Sequence, residues 1–451
     1  MTKLYQYQEE GVQELIKHNG RALLADDMGL GKTIQALEYL RRTPEALPAV
    51  VVCPASLKWV WEHQAKLHIK MPSEVIEGTK PKKGRLLTKH NLIIINYDIL
   101  GAWLEHLKEI KPKTLIIDEC HYIKSRSAKR TKNIKQISKN VEHLISISGT
   151  PLVNRPAELY TTLNILWPKV FHSFWSFAFK FCKPSRRPWG WEFKGADNLD
   201  ELHTTLKELG MIRRLKQDVL QDLPDKTREI IQLPLSKKSE YTEAVNDFIG
   251  WLQKQSAEKA FKAKKAEKLV KMGYLKRLAS QLKMKSVIEW VDNFLESSDE
   301  KLVLFCTHKA IIKKLHEKYQ NISVVVDGGT SNKKRKWAVD LFQNKKKVRL
   351  FIGNIRAAGV GITLTAASKE AFVELDFVPG NVTQCEDRVH RIGQKGAVTI
   401  YYLIAKDTIE EYLCEIIQNK QKVVSNVLDG TEKTNKWDIY SQLENKLLGK
   451  G

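Results

Sequence analysis

The chain has 451 residues, enough for two or three domains at roughly 100–200 residues each. Lys and Arg number 75 against 52 Asp and Glu, a formal charge of +23 that favours a polyanionic partner, most simply nucleic acid. A hydrophobic fraction of 42% excludes a disordered chain, and no run reaches the roughly 18 apolar residues of a membrane span. Residues 1–20 hold no apolar signal core, which disfavours secretion. None of the six cysteines, Cys53, Cys120, Cys182, Cys306, Cys385 and Cys414, forms a CxxC pair. Free thiols in a reducing cytoplasm or nucleus are expected, with neither a disulfide nor a structural zinc site.

In chain order, a first set of short apolar runs covers 22–25, 49–53, 92–96, 114–118 and 144–148. A second set covers 302–306, 322–326, 348–352, 371–375 and 398–403. Runs this short and rich in β-branched residues predict buried parallel strands covered by helices on both faces. Between the two sets, 236–285 reads as helix, with Tyr241, Val245, Phe248, Ile249 and Leu252 on one stripe. The expected fold class is α/β, two parallel-sheet lobes joined by a helical connection. Ligands of such sheets bind beyond the carboxyl ends of the strands.

The run ending at Ala25 is followed by Asp26-Asp-Met-Gly-Leu-Gly-Lys-Thr33 and then a helical pattern. Strand, glycine-rich loop, Lys-Thr and helix is the context of a phosphate-binding loop. Gly29 and Gly31 would let backbone N–H groups face phosphate, Lys32 would reach the β and γ phosphates, and Thr33 would offer a hydroxyl to Mg²⁺. Asp26 stands where the general pattern has its first glycine. The run ending at Asp118-Glu-Cys-His121 supplies an acid from a neighbouring strand, so Asp118 is expected on the metal and Glu119 on the attacking water. In the second half, Arg388 and Arg391 are three apart, on one face of a helical turn. Directed across a cleft, they would neutralise charge on a γ-phosphate in transfer.

This ordered set resembles the Swi2/Snf2 family of helicase superfamily 2 over nearly the whole chain. The resemblance makes Leu4-Tyr-Gln-Tyr-Gln8 the adenine-contacting segment with Gln8 as reader, and the acid at Asp26 is part of the family's loop. Val52-Cys-Pro-Ala-Ser-Leu-Lys-Trp59, Ser148-Gly-Thr-Pro-Leu-Val-Asn154, Ala357-Ala-Gly-Val-Gly-Ile-Thr-Leu-Thr365 and the Arg388/Arg391 segment are similar to its further motifs. Cys120 departs from the Gly or Ala more often found there. The resemblance implies RecA-like lobes at 1–220 (helical and Trp-rich over 160–220) and 286–430, a basic helical linker at 221–285, and a tail at 431–451. Phe174-Trp175, Phe181-Cys182, Arg186-Arg-Pro-Trp-Gly-Trp191 and Met211-Ile-Arg-Arg-Leu-Lys216 look like the annealing-helicase branch, whose members rewind or remodel branched DNA. By residue type alone, Trp175, Trp189 and Trp191 weigh toward packing over stacking on bases.

From Lys254 to Lys285 there are 11 Lys or Arg against Glu258 and Glu267, a helix suited either to a phosphate backbone or to water. The resemblance implies a main DNA track across both lobes, with Lys58 and Thr150 on the first and Thr307, His308 and Thr363 on the second. The expected function is an ATP- and Mg²⁺-dependent motor on double-stranded or branched DNA. It would act as a monomer without sequence preference, in a nucleus or in a bacterial or virus-infected cytoplasm. A strand-separating DNA or RNA helicase and a DNA-binding scaffold using ATP only as a switch are the alternatives.

Overall fold

The computed structural model of the protein describes residues 3–80, 91–152, 155–187, 190–193, 195–220, 222–247, 267–359, 361–414 and 427–428. The chain divides into two compact units, one running to Asp222 and the other from Leu223 to Gln421. Val427 and Leu428 belong to the first unit and are buried in its core. The helices of the expected linker therefore group with the second unit, and its expected end at 430 lies past a segment that returns to the first.

The first unit is built on β1 (Arg21–Leu24), β2 (Ala49–Cys53), β3 (Ser73–Val75), β4 (Leu92–Asn96), β5 (Thr114–Asp118), β6 (His143–Ile147) and β9 (Met211–Ile212). A small antiparallel hairpin, β7 (Ser185–Arg187) and β8 (Gly190–Glu192), stands apart. The seven strands run parallel in the order β3-β4-β2-β5-β6-β1-β9. The central strands β2, β4, β5 and β6 are buried at every position, and since side chains alternate along a strand, their apolar residues fill both faces of the sheet. Val50 and Val52 pack with Ile93, Ile95, Leu115 and Ile117 on one face. Ala49, Val51 and Cys53 pack with Leu92, Ile94 and Ile116 on the other.

The second unit repeats the plan with β10 (Lys226–Leu233), β11 (Leu302–Cys306), β12 (Ser323–Val326), β13 (Leu350–Asn354), β14 (Lys369–Phe372) and β15 (Val398–Ala405). All six are parallel, in the order β10-β15-β14-β11-β13-β12. Val303 and Phe305 enter one cluster; Leu302, Leu304 and Cys306 enter another across the sheet. All ten expected runs are strands, within a few residues at their ends. β10 was not foreseen: Lys-Thr-Arg-Glu-Ile-Ile-Gln-Leu has no apolar run, because an edge strand half-covered by water carries charges instead.

The helix expected over 236–285 is not continuous. Its described parts are Lys238–Asn246 and Glu267–Leu282, followed by a separate helix, Met284–Ser297. Phe248, Ile249, Leu252 and 254–266 lie outside the described residues, as do Asn154 and Trp189. Two cations of this stretch turn inward. Lys283 is fully buried, its ammonium 2.6 Å from Glu410, and Lys276 is buried over the ring of Phe377. These two cations hold the unit's interior together rather than lining a phosphate backbone. All six cysteines are free and buried, and no described helix is long and apolar enough to cross a membrane.

Candidate nucleotide site

β1 ends beneath the loop Asp26–Gly31, and the loop ends where helix Lys32–Arg42 begins. The turn needs the left-handed backbone at Gly29 (φ +86°) and Gly31 (φ +76°). A Cβ on Gly31 would also stand 2.4 Å from the Gln8 amide nitrogen. Lys32 folds back over the loop, its ammonium donating to the carbonyls of Asp26 (2.7 Å) and Asp27 (3.0 Å). Burial lowers its pKa. Thr33 follows it, half-buried, in the helix's first turn.

The loop's two acids are held by neighbours that the motif reading passed over. Asp26 is fully buried and takes a bidentate grip from Arg214 (2.9 and 2.7 Å), with a third bond from the Gln35 amide (3.0 Å). Arg213 pairs with Asp27 at 2.9 Å and donates to the Ala25 carbonyl at 2.8 Å. Both arginines follow β9, the strand paired with β1. A carboxylate in a loop that must stay dry was the available signal, since such a group requires a cationic partner.

Gln8 sits under the same loop with its amide engaged inside the chain. Its nitrogen donates to the Leu30 carbonyl (3.2 Å) and the Tyr7 hydroxyl (3.3 Å), and its oxygen accepts from the Tyr5 N–H (3.1 Å). It braces the loop, and only the second lone pair of its oxygen remains for an adenine amino group.

Asp118 lies at the end of β5, which is not the immediate neighbour of β1. β6 runs between them, so the expected adjacency is one strand off. Asp118 is anchored by the Trp61 indole N–H (2.7 Å) and the Glu119 N–H (2.9 Å). Burial and the adjacent Glu119 charge raise its pKa to about 7. Glu119 itself adopts the left-handed conformation (φ +51°, ψ +55°), which costs a non-glycine residue roughly 1–2 kcal/mol. That strain aims its carboxylate at β6. The Ser148 hydroxyl donates to it at 3.2 Å, and the His121 imidazole lies 3.2 Å from both. The Thr150 N–H then donates to Ser148 (3.1 Å). The Ser148-Gly-Thr150 segment is thereby wired to the acid expected to handle water.

The donor set suits a magnesium nucleotide. Among the described residues no group of three or more His, Cys, Asp or Glu gathers into a cage. Mg²⁺ needs none, since it typically takes one or two carboxylates together with phosphate oxygens and water.

In the second unit, Arg388 closes helix Pro379–Val389, whereas Arg391 lies beyond its end. They meet by another route than one helical turn: both donate to the carbonyl of Ile362, at 3.4 and 3.2 Å. Burial, with the like charge of Arg388 beside it, lowers the Arg391 pKa to about 10. Thr307 and His308 follow β11, and their N–H groups both donate to Glu374 at 2.8 Å. Burial alone would raise Glu374, but these bonds and the His308 ring bring it down to about 2. Thr363 is half-buried beyond the short helix Ile355–Ala358 that follows β13, and the Asn354 amide at the end of β13 donates to the Thr307 carbonyl (2.9 Å). Lys58 is buried, its ammonium donating to the Ile76 carbonyl at 2.8 Å. Thr150 is buried as well.

Two parallel α/β units, the first with a glycine-rich loop of the phosphate-binding type between β1 and its helix, define a helicase-like, two-unit nucleotide-binding fold. The model of the SNF2-related domain matches residues 7–286, and that of the helicase conserved C-terminal domain matches 283–393. The chain belongs to the SNF2 family. It is 37% identical over 96% of its length to the Xenopus laevis SWI/SNF-related matrix-associated actin-dependent regulator of chromatin subfamily A-like protein 1, covering 45% of that protein. To the Caenorhabditis elegans homologue it is 34% identical over 95% of its length, covering 62% of that protein. With the human DNA annealing helicase and endonuclease ZRANB3 it shares 32% identity over 98% of its length, covering 43% of that protein. The chain thus spans about half the length of the curated relatives it matches.

Proposed function

We propose that the chain is an ATP-driven, Mg²⁺-dependent motor on double-stranded DNA that moves along or rewinds branched substrates. One observation carries this reading. Lys32, Asp118, Glu119 and Ser148 sit at the carboxyl ends of β1, β5 and β6, in a chain whose second unit presents Arg388 and Arg391 together on the Ile362 carbonyl. The relative named a DNA annealing helicase supports the rewinding part of the reading.

In the proposed cycle Lys32 leaves the loop carbonyls for the β and γ phosphates, and Thr33 and Asp118 hold the metal. Mg²⁺ would supply positive charge to the phosphate oxygens. Glu119 orients water and takes its proton, and Ser148 and His121 carry the change in its charge to Thr150. Arg388 and Arg391 exchange the Ile362 carbonyl for charge developing on the γ-phosphate. Ile362 immediately precedes Thr363, so the exchange reaches the loop proposed to touch DNA. Thr150, Thr307, His308 and Thr363 hold backbone phosphates. Lys58 joins them only by giving up Ile76.

The test is ATP hydrolysis by wild type and Glu119→Gln with no nucleic acid, blunt duplex, forked DNA, single-stranded DNA and RNA. Strong stimulation by duplex, lost in the variant, is expected. Stimulation by RNA alone would overturn the DNA assignment.

A further inference from the structure

Helix Phe174–Phe181 and the hairpin β7–β8 share an aromatic surface that the nucleotide site does not use. Trp175 and Phe179 lie one turn apart on the helix, 53% and 49% exposed. Trp191 of the hairpin, 44% exposed, packs edge-on against Phe179 with centroids 5.0 Å apart. Phe193, two residues on, packs edge-on against Trp175 at 5.4 Å. Three large rings standing half in water on one face make an apolar patch of the kind that marks a binding surface.

The patch is also cationic. Arg186 is paired with Trp191 across the hairpin, so both side chains point to the same face of the ribbon. Arg126, in the loop after β5, sits 3.5 Å above the centroid of Phe174, which itself packs edge-on against Trp175 and Phe193. From Lys169 to Phe193 there are five Lys or Arg and one acid, Glu192. Flat rings interleaved with guanidinium groups fit a partner that is planar and anionic. Single-stranded nucleic acid is such a partner, with bases stacking on the rings and phosphates meeting the arginines.

We infer that Trp175, Phe179 and Trp191, with Arg186 and Arg126, form a stacking platform for unpaired bases on the first unit. The site takes single-stranded DNA beside the duplex on which the motor runs, and in that sense it extends the proposed function. Its recognition is of the π-face, so it tolerates any sequence.

The experiment measures binding of fluorescent oligo-dT and of a blunt duplex, each without nucleotide, to wild type, Trp175→Ala, Trp175→Phe and Arg186→Glu. Thermal unfolding of each variant is recorded alongside. Loss of one stacked base and of one cation should each weaken oligo-dT binding by about tenfold, with Trp175→Phe close to wild type and duplex binding changed by less than about twofold. Oligo-dT affinity unchanged in Trp175→Ala and Arg186→Glu would overturn the inference and leave the patch to a protein partner. Parallel loss of oligo-dT and duplex binding would also overturn it, by making the patch part of a general backbone track. Arg186→Glu leaves every ring of the patch in place, so it decides the matter should Trp175→Ala unfold. Neither binding readout depends on hydrolysis: failure here leaves the motor standing, and a motor without duplex-stimulated ATPase leaves the platform standing.

Discussion

The two units share one architecture and use their buried charges in opposite ways. In the first, cations surround a loop that carries acids: Arg214 and Arg213 hold Asp26 and Asp27, and the Lys32 ammonium rests on backbone carbonyls. In the second, acids pin the structure from inside, with Glu374 on His308, Glu386 on Lys226 and Arg228, and Glu410 on Lys283. Arg388 and Arg391 meet on one neutral acceptor, the Ile362 carbonyl. Exchanging that one carbonyl for another acceptor costs less than breaking an arginine away from a buried carboxylate such as Asp26. The contrast is between charges that clasp the acids of a loop and charges that meet on a neutral backbone carbonyl.

The sharpest way to break that contrast is to remove the groups assigned to chemistry. Glu119→Gln should lower kcat by roughly 10²–10⁴ while ATP binding persists, as seen by equilibrium titration with a fluorescent nucleotide. Arg391→Ala should lower kcat by about 10³ with little change in KM, because its work falls in the transition state. A loss confined to KM would make Arg391 a ground-state anchor and erase the distinction between the units.

Arg214→Gln tests the clasping charges. It leaves Asp26 buried without its cation and should cost about 3–5 kcal/mol in the stability of the first unit, read by denaturant unfolding. Asp26→Asn added to it should recover part of that loss. Wild-type stability in the single variant would contradict the clasp.

The smallest effect concerns two acids of the second unit. Glu370 is fully buried with neither carboxylate oxygen bonded, and burial pushes its pKa well above the usual range. The native state then keeps a proton that the unfolded chain gives up above about pH 4.3, so stability falls as pH rises past that value. Glu370→Gln should therefore raise stability at pH 8 and leave it unchanged near pH 4. Burial alone would raise Glu386 too, but Lys226, Arg228 and Tyr402 bring it down to about 2. Its contribution is present above the unfolded value and lost as pH falls toward 2, so Glu386→Gln should destabilise at pH 8. Thermal unfolding of both variants against pH checks the two signs.

Most of the sheet framework was legible because a strand buried on both faces must be apolar at every position, as in Ala49–Cys53 and Leu302–Cys306. β10 and the break in 236–285 were not, since an edge strand and a helix around buried lysines both carry charges that read as solvent-facing. Lys283 shows the limit: only the fold brings Glu410 to it across 127 positions. At the site, the loop and the Asp118-Glu119 acids were readable from local spacing. Arg214, 188 residues from Asp26, and Trp61, 57 from Asp118, belong to no local pattern.

The central claim is motion along duplex DNA driven by the first unit's hydrolysis and the second unit's arginines. It is tested most directly by displacement of a triplex-forming oligonucleotide from a blunt linear duplex, comparing wild type, Glu119→Gln and Arg388→Ala with ATP and Mg²⁺. The account predicts displacement by wild type alone, with the underlying duplex intact. Hydrolysis by wild type without displacement, or displacement that survives in either variant, would contradict it.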